Sequence, residues 1–267
     1  MYAPRMLTKA TQKLIQTLDT RKGRRKEGLF VAEGPKLVAE LLGHFTCEHI
    51  VATESWMTQA EGLLGRCSDA SQPLIDVVTE EKLRQVSLQQ TPQQVLALFR
   101  IPPDDAELAT VAASQLTLAL DGVQDPGNLG TIVRLADWFG VHDIWCSPGT
   151  ADIWNPKAVQ ATMGGLARVR VHYVNLVAQL QALPSSSSIY GTSLHGQNLW
   201  QAELAPHGVV VMGNEGKGVS PDVDSLCRQR LLIPNYPEGQ TTTESLNVAM
   251  ATGIVLAEFR RRQIIRS

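Results

Sequence analysis

Short apolar runs alternate with amphipathic stretches along the second half of the chain. Each run has the length of a strand and is bounded by turn-forming residues, whereas the stretches between carry apolar residues at helical spacing. The runs predict strands at Leu116–Leu120, Ile144–Cys146, Arg168–Tyr173, Ile189–Thr192, Val209–Met212 and Leu231–Ile233. The stretches predict helices at Leu129–Phe139, Pro156–Leu166, Leu176–Gln181 and Pro221–Leu226, and a last helix capped by Ser245. This alternation predicts an α/β domain with a parallel sheet between two helical layers.

The first hundred residues show a similar but smaller pattern. They predict strands at Leu29–Ala32, His49–Thr53, Leu74–Val78 and Val95–Ile101. They predict helices at Thr8–Leu18, from Pro35 to about Leu42, at Thr58–Leu64, and after the cap residue Thr79. A stiff and acidic segment beginning at Pro102 follows. We therefore predict a small α/β domain over residues 1–104, a linker over 105–114, and a larger α/β domain over 115–267.

Composition narrows the class of protein. No apolar run is long enough to span a membrane, and the N-terminus lacks the apolar core of a signal peptide. The four cysteines are scattered without a C-x-x-C pair, and the histidines show no metal-binding spacing. These features predict a cytoplasmic protein with free thiols, without a membrane partner and without a metal.

Positive charge is concentrated near the N-terminus although the chain has a net charge of −2. The densest part is a predicted turn that contains Arg21, Lys22, Arg24, Arg25 and Lys26. Such a cluster favours contact with nucleic-acid phosphates, and a solvated surface loop is the alternative.

Three polar segments follow predicted strands of the larger domain, and each is rich in Gly and Asn. They are Asp121–Arg134, in which Asn128 can cap a helix, then Gly213–Gly218, and Asn235–Asn247. Because carboxyl ends of parallel strands meet at one sheet edge, these segments predict a ligand site there. The segments contain neither G-x-G-x-x-G nor G-x-x-x-x-G-K-[ST], which disfavours a nucleotide-using Rossmann enzyme.

The three segments resemble the motifs of the SpoU (TrmH-type) RNA ribose 2′-O-methyltransferases of the SPOUT superfamily. The matching residues are Pro126–Gly130 with Arg134, Gly213–Gly216 with Gly218, and Ile233–Pro234 with Ser245–Val248. Asn155–Lys157 with Ala161–Gly164 resembles a further stretch of that family. Arg24–Phe30 and Glu33–Pro35 resemble the family's ribosomal-protein-L30-like RNA-binding domain.

The resemblance implies an α/β domain with a deep trefoil knot, S-adenosylmethionine as cofactor, RNA as substrate, and a homodimer. By position it implies donor binding by Thr192, Gly213, Ile233 and Leu246, largely through backbone groups. It implies catalytic roles for Asn128 and Arg134, supported by Glu215, Ser245 and Asn247. The basic residues 21–26 are the expected RNA contacts.

Two features depart from the family pattern. The loop from Asn235 to Glu244 is several residues longer than usual, and Gln160 occupies a position where the family often has a basic residue. Both changes affect expected donor or phosphate contacts, but neither removes a motif residue.

Arg134 is often described as the base in this family, but a guanidinium group resists deprotonation. Bidentate contact with a phosphate next to the reacting ribose suits its chemistry better. The activity that the resemblance implies is methylation of a ribose 2′-hydroxyl in structured RNA, with 23S rRNA as the leading substrate. A tRNA methyltransferase and a non-catalytic RNA-binding or ribosome-assembly factor on the same fold are the alternatives.

Overall fold

A computed structural model gives the structure of residues 7–65, 72–103, 108–237, 240 and 243–266. The chain forms two units: residues 1–103 with 152–167, and residues 104–151 with 168–267. The first unit therefore includes a segment that lies, in sequence, inside the predicted larger domain. We describe the two units separately.

The first unit contains a four-stranded mixed sheet with the order β1-β4-β2-β3. Its strands are β1 (Leu29–Glu33), β2 (Cys47–Thr53), β3 (Leu74–Val78) and β4 (Val95–Arg100). Its first six helices are α1 (Lys9–Thr17), α2 (Arg21–Glu27), α3 (Pro35–Leu41), α4 (Glu54–Gln59), α5 (Glu61–Leu64) and α6 (Glu80–Val86). The four strands predicted here are confirmed. The single helix predicted at Thr58–Leu64 is wrong, because the chain forms α4 and α5 there.

Threonine side chains fix where several of these helices begin. Thr8, Thr20, Thr53 and Thr79 each precede a helix, and each hydroxyl accepts a hydrogen bond from a backbone N–H in the first turn. These bonds satisfy donors that a helix start otherwise leaves unpaired. The cap at Thr20 shows that the predicted basic turn is wrong, because residues 21–27 form helix α2.

The segment Asp152–Ala167 packs into the first unit through polar and aromatic contacts. Arg24 is only 2% exposed, and its guanidinium donates to Asp152 Oδ2 from both Nε and Nη2, at 3.1 and 2.7 Å. The ring of Trp154 lies 4.7 Å from that of Phe30. Gln160 accepts a 2.6 Å hydrogen bond from Gln89, so the side chain that departs from the family pattern is used within this unit.

The second unit contains a six-stranded sheet with the order β10-β8-β9-β5-β6-β7, in which every neighbouring pair is parallel. Its strands are β5 (Leu116–Asp121), β6 (Asp143–Cys146), β7 (Arg170–Tyr173), β8 (Ile189–Asn198), β9 (Gly208–Gly213) and β10 (Gln229–Leu232). The predicted parallel sheet is confirmed. Strand β8 extends six residues beyond its predicted end at Thr192.

The remaining helices, in chain order, are α7 (Leu108–Ser114), α8 (Pro126–Trp138), α9 (Pro156–Ala161), α10 (Leu176–Gln181), α11 (Pro221–Asp224) and α12 (Val248–Arg266). Helix α9 belongs to the first unit and the others to the second. Helix α7 occupies much of the predicted linker, and its residues Leu108 and Ala112 join the core of the second unit. Residues 104–107 of that linker lie outside the described residues.

Helices α8 and α12 pack side by side. A side chain at Gly253 of α12 would bring Cβ within 3.4 Å of Leu135 in α8, so the helices approach closely there. Farther along α12, Arg260 donates to the backbone carbonyls of Phe139 and Gly140 at the end of α8. Hydrogen bonds from Arg261 and Arg262 lower the pKa of Glu258 to about 2. The close approach at Gly253 and the hydrogen bonds of Arg260 hold α12 against α8.

The fold class predicted from the sequence is confirmed as α/β with a parallel sheet, and the knot implied by the resemblance stays a prediction.

Cys47, Cys146 and Cys227 are buried free thiols, whereas Cys67 lies outside the described residues. Among the described helices, none combines the length and apolarity needed to cross a bilayer. The described side chains contain no cluster suited to holding a metal ion.

Candidate functional site

A cavity of about 530 Å³ in the second unit lies beside the middle of β8 and the carboxyl ends of β9 and β10. Its wall consists of residues of these strand segments, residues that follow β9 and β10, and the start of α12. The lining residues are Thr192–His195, Met212–Val219, Asp224, Leu231–Ile233, Glu244–Leu246, Val248 and Ala251. The predicted site at this sheet edge is therefore a cavity large enough for a small-molecule ligand.

All four residues expected to bind the donor lie in this wall. Thr192 comes from β8, Gly213 ends β9, and Ile233 and Leu246 lie on the segment between β10 and α12. Thr192 donates its hydroxyl to the backbone carbonyl of Val211, which holds β8 against β9 at the cavity. Donor binding by these residues stays a prediction.

The loop after β9, Gly213–Gly218, is held in shape by its own backbone and by Asn214. The backbones of Asn214 and Gly218 exchange two hydrogen bonds of 2.9 Å. A side chain at Gly213 would place Cβ 2.2 Å from the backbone carbon of Gly218. Glycine is therefore required at 213 because this loop folds back on it.

Three of the expected catalytic residues form one hydrogen-bonded chain. Asn247 Nδ2 donates to Asn128 Oδ1 at 3.0 Å, and Asn128 Nδ2 donates to Glu215 Oε1 at 3.0 Å. These residues come from the start of α12, the start of α8, and the loop after β9. Three segments that are distant in sequence thus meet through side chains, and the amide of Asn128 is fixed in one orientation.

Arg134 lies on α8, six residues beyond Asn128, so its Cα is about 9 Å farther along the helix axis. Its side chain is exposed. Within the described residues it has neither a hydrogen bond nor an ion pair. A permanently charged guanidinium without a partner among the described residues suits the binding of an anionic group.

Two predicted helix caps are wrong. Asp125 Oδ1 accepts from the backbone N–H of Asn128, so Asp125 caps α8 and Asn128 lies inside the helix. Asn247 Oδ1 accepts from the backbone N–H groups of Ala249 and Met250, so Asn247, not Ser245, caps α12. Ser245 is exposed and lines the cavity; its expected supporting role stays a prediction.

The basic residues of α2 are divided between two faces. Arg21, Lys22, Arg25 and Lys26 are exposed, whereas Gly23 and Arg24 are buried. At about 100° per residue, the four exposed positions form a stripe about 140° wide. A Cβ at Gly23 would lie 1.9 Å from the carbonyl oxygen of Thr17, so this face approaches α1 closely. The prediction of an RNA contact is wrong for Arg24, because its guanidinium is buried and bound to Asp152.

The cavity includes residues that the sequence did not predict. Between Gly191 and Gln197, strand β8 leaves its pairing with β10 and bulges outward. Ser193, Leu194 and His195 of this bulge line the cavity. A Cβ at Gly196 would lie 2.7 Å from the carbonyl oxygen of Arg230. Gly191 and Gly196, one at each side of the bulge, are the signal in the sequence that marks it.

Two family models match the chain. Residues 115–257 match the model of the SpoU rRNA Methylase family, and residues 10–97 match the MRM3-like substrate binding domain. The chain is 32% identical over 247 residues to the 23S rRNA (guanosine(2553)-2′-O)-methyltransferase RlmP of Bacillus subtilis, covering 91% of this chain and 93% of that protein.

Two solved structures are similar over nearly the whole chain. A TrmH-family protein from Porphyromonas gingivalis is 39% identical with a TM-score of 0.84, covering 97% of this chain and 100% of that one. An AdoMet-bound rRNA methyltransferase from Sinorhizobium meliloti is 27% identical with a TM-score of 0.83, covering 98% of both chains.

Proposed function

Because the chain belongs to the SpoU rRNA methylase family, we propose that it transfers a methyl group from S-adenosylmethionine to a ribose 2′-hydroxyl of 23S rRNA. The observation that carries this proposal is the bonded chain of Asn247, Asn128 and Glu215 at the sheet edge that holds the cavity. The similarity to the Bacillus subtilis enzyme supports 23S rRNA as the substrate, since that relative covers almost the whole chain.

The cavity suits this donor in shape and charge. Leu194 and Leu246 line it while 61% and 49% exposed, which leaves apolar surface open for a flat ring. Glu215, Asp224 and Glu244 outnumber Lys217 among the charged lining residues. An excess of carboxylates favours a ligand with positive charge, and S-adenosylmethionine supplies a sulfonium methyl that is open to nucleophilic attack.

The residues of the chain account for the acceptor side of the reaction. The guanidinium of Arg134 holds a phosphate next to the target ribose, and its fixed charge favours the negative charge that develops on the attacking 2′-oxygen. The ordered amide of Asn128 orients the acceptor. Positioning of this kind supplies roughly 7–11 kcal/mol of a reaction barrier, so a strong base is not needed. The oxygen–methyl bond forms as the sulfur–methyl bond breaks, the donor leaves as S-adenosylhomocysteine, and the hydroxyl proton passes to solvent.

The proposed activity is tested with purified protein, radiolabelled S-adenosylmethionine, and separate transcripts of 23S rRNA and tRNA. Label should enter 23S rRNA and resist alkaline hydrolysis, because a 2′-O-methyl group blocks cleavage of the adjacent phosphodiester. Label confined to tRNA would favour the transfer-RNA alternative. Binding of RNA without incorporation of label would favour a non-catalytic assembly factor.

The exposed stripe of α2 is the proposed RNA contact. Replacing Arg25 and Lys26 with glutamine should weaken RNA binding and reduce the slope of log affinity against log salt by roughly 0.7–0.9 for each phosphate that the protein no longer neutralises. Replacing Arg84 and Arg100, also exposed in the first unit, removes the same charge and serves as the control. Binding measured by fluorescence anisotropy over a salt series makes the comparison. Equal slopes in the two variants would leave α2 as a solvated surface helix.

A homodimer is proposed from the resemblance and from apolar side chains on the packed helices α8 and α12. Trp138 and Met250 are 83% and 64% exposed, and exposed apolar surface of this kind marks association sites. Replacing both with serine should shift sedimentation from dimer to monomer. Trp200→Ser is the control, since Trp200 is 47% exposed but lies outside both helices. A monomeric unaltered protein would contradict the proposal.

The cytoplasmic location stays a prediction.

A further inference from the structure

Gly122, the first residue after β5, is held from two sides by side chains of neighbouring loops. Its backbone N–H donates to Ser147 Oγ at 2.9 Å, and its carbonyl accepts from Asn214 Nδ2 at 2.7 Å. Ser147 follows β6 and Asn214 follows β9, and these strands flank β5 in the sheet. Gly122 has a φ of +75°, a conformation that needs glycine. We call Ser147, Gly122 and Asn214 the glycine clamp.

Asn214 connects this clamp to the loop that carries Glu215. Its Oδ1 accepts from the backbone N–H groups of Gly216 and Lys217, both at 3.0 Å. The side-chain amide of Asn214 therefore accepts from the loop after β9, which carries Glu215, and donates to the loop after β5, which begins at Gly122. Asn214 therefore ties the two loops together where each leaves its strand.

The Gly122 loop leads directly to the reacting end of α8. Asp125, three residues later, accepts from the backbone N–H of Asn128 and so fixes where α8 begins. The backbone N–H of Gln124 lies 3.5 Å from Glu215 Oε2. Any shift of Gly122 relative to Asn214 therefore changes the separation of Asn128 and Glu215, which bond at 3.0 Å.

We infer that Ser147 and Asn214 are positioning residues that hold the loops after β5, β6 and β9 in one arrangement and thereby keep Asn128 bonded to Glu215. This inference rests on the proposed function, because its readout is the methyl-transfer rate. Ser147 lies outside the lining of the donor cavity, and the 2.9 Å bond to Gly122 is the shorter of its two side-chain contacts, the other being 3.4 Å to the Thr150 hydroxyl. Displacements of about 1 Å at a reacting site can lower a rate by about 100-fold.

Ser147 gives the clearest test. Ser147→Ala should lower the single-turnover rate at saturating donor and RNA by about 10-fold or more, because the Gly122 N–H loses its acceptor. Donor and RNA dissociation constants should stay within about twofold, since no binding residue is changed. Ser147→Thr keeps the hydroxyl and should restore most of the rate. Ser225→Ala is the matched control, because the Ser225 hydroxyl donates to the backbone carbonyl of Asp222 on the surface.

Asn214→Asp separates the two functions of Asn214. An aspartate keeps the acceptor for the N–H groups of Gly216 and Lys217 but cannot donate to Gly122. The hydrogen bonds within the loop after β9 are therefore kept, and the bond to the Gly122 carbonyl is lost. Its rate should fall at least as far as that of Ser147→Ala. The rate of the double variant should fall by less than the product of the two single-variant factors, because both substitutions remove a hydrogen bond to Gly122.

Several outcomes would overturn the inference. A rate for Ser147→Ala equal to that of Ser225→Ala would show that the clamp does not bear on the reaction. A lower rate accompanied by an equal loss of donor affinity would place Ser147 in donor binding instead. Multiplicative losses in the double variant would show that the two residues act separately. If the unaltered protein itself transfers no methyl group to any RNA, the proposed function fails and not this inference.

Discussion

Arg134→Ala lowers the single-turnover rate of methyl transfer by about 10²- to 10³-fold, as loss of one hydrogen-bond donor at a reacting centre does elsewhere. Donor affinity stays close to that of the unaltered protein, because Arg134 is absent from the lining of the donor cavity. The reason for the large effect is that its exposed guanidinium has no partner among the described residues and is available to the RNA phosphate. Rates at saturating RNA, with donor affinity measured separately by calorimetry, test this expectation.

Arg134→Lys distinguishes charge from geometry. Lysine keeps the positive charge but cannot make the two parallel hydrogen bonds of a guanidinium fork. Partial recovery of the rate would show that charge near the phosphate dominates, and little recovery would show that the two-pronged contact is needed. Arg168→Ala is the control, since Arg168 is an exposed arginine paired with Asp137 of the same helix as Arg134. A near-normal rate for Arg134→Ala would make Arg134 a structural residue.

Gly213→Val abolishes donor binding, with a loss of at least about 100-fold in affinity. The cause is a displacement of the loop after β9. The new Cβ would lie 2.2 Å from the backbone of both Gly218 and Val219, so the loop after β9 must move. That loop lines the cavity and carries Glu215, and both donor affinity and methyl transfer are therefore lost together.

Gly216→Ala is the matched control for this prediction. Gly216 lies in the same loop, but its added Cβ would meet nothing closer than Asn214 Oδ1 at 3.8 Å. Calorimetry should detect donor binding to Gly216→Ala and none to Gly213→Val. Intact binding to Gly213→Val would mean that the donor cavity has been placed wrongly.

The sequence predicted the parallel sheet and its ligand-binding edge because both depend on local signals. Apolar runs mark buried strands, and the Gly- and Asn-rich segments after them mark loops. The four residues expected to bind the donor lie in one wall because neighbouring parallel strands run in the same direction. Register and bulges depend on contacts between strands, so the extension of β8 and its lining residues 193–195 could not be predicted from the run at Ile189–Thr192.

The two helix caps were predicted wrongly because two nearby residues each have a side chain that can cap the helix. Asp125 and Asn128 both suit a cap, as do Ser245 and Asn247, and only the folded backbone decides between them. Helix α2 was missed because charge density suggested a turn, whereas the cap at Thr20 and the close approach of Gly23 stabilise a helix. The burial of Arg24 depends on Asp152, which is 128 residues away in sequence, so no local pattern revealed it.

The most direct test of the central claim is a map of ribose methylation in 23S rRNA from cells that lack the gene. Resistance to alkaline cleavage, read by sequencing at every nucleotide, locates each 2′-O-methyl group. We predict that a 2′-O-methylated position disappears in the deletion strain, returns with the unaltered gene, and stays absent with the Arg134→Ala gene. An unchanged 23S rRNA map in the deletion strain would contradict the proposed function.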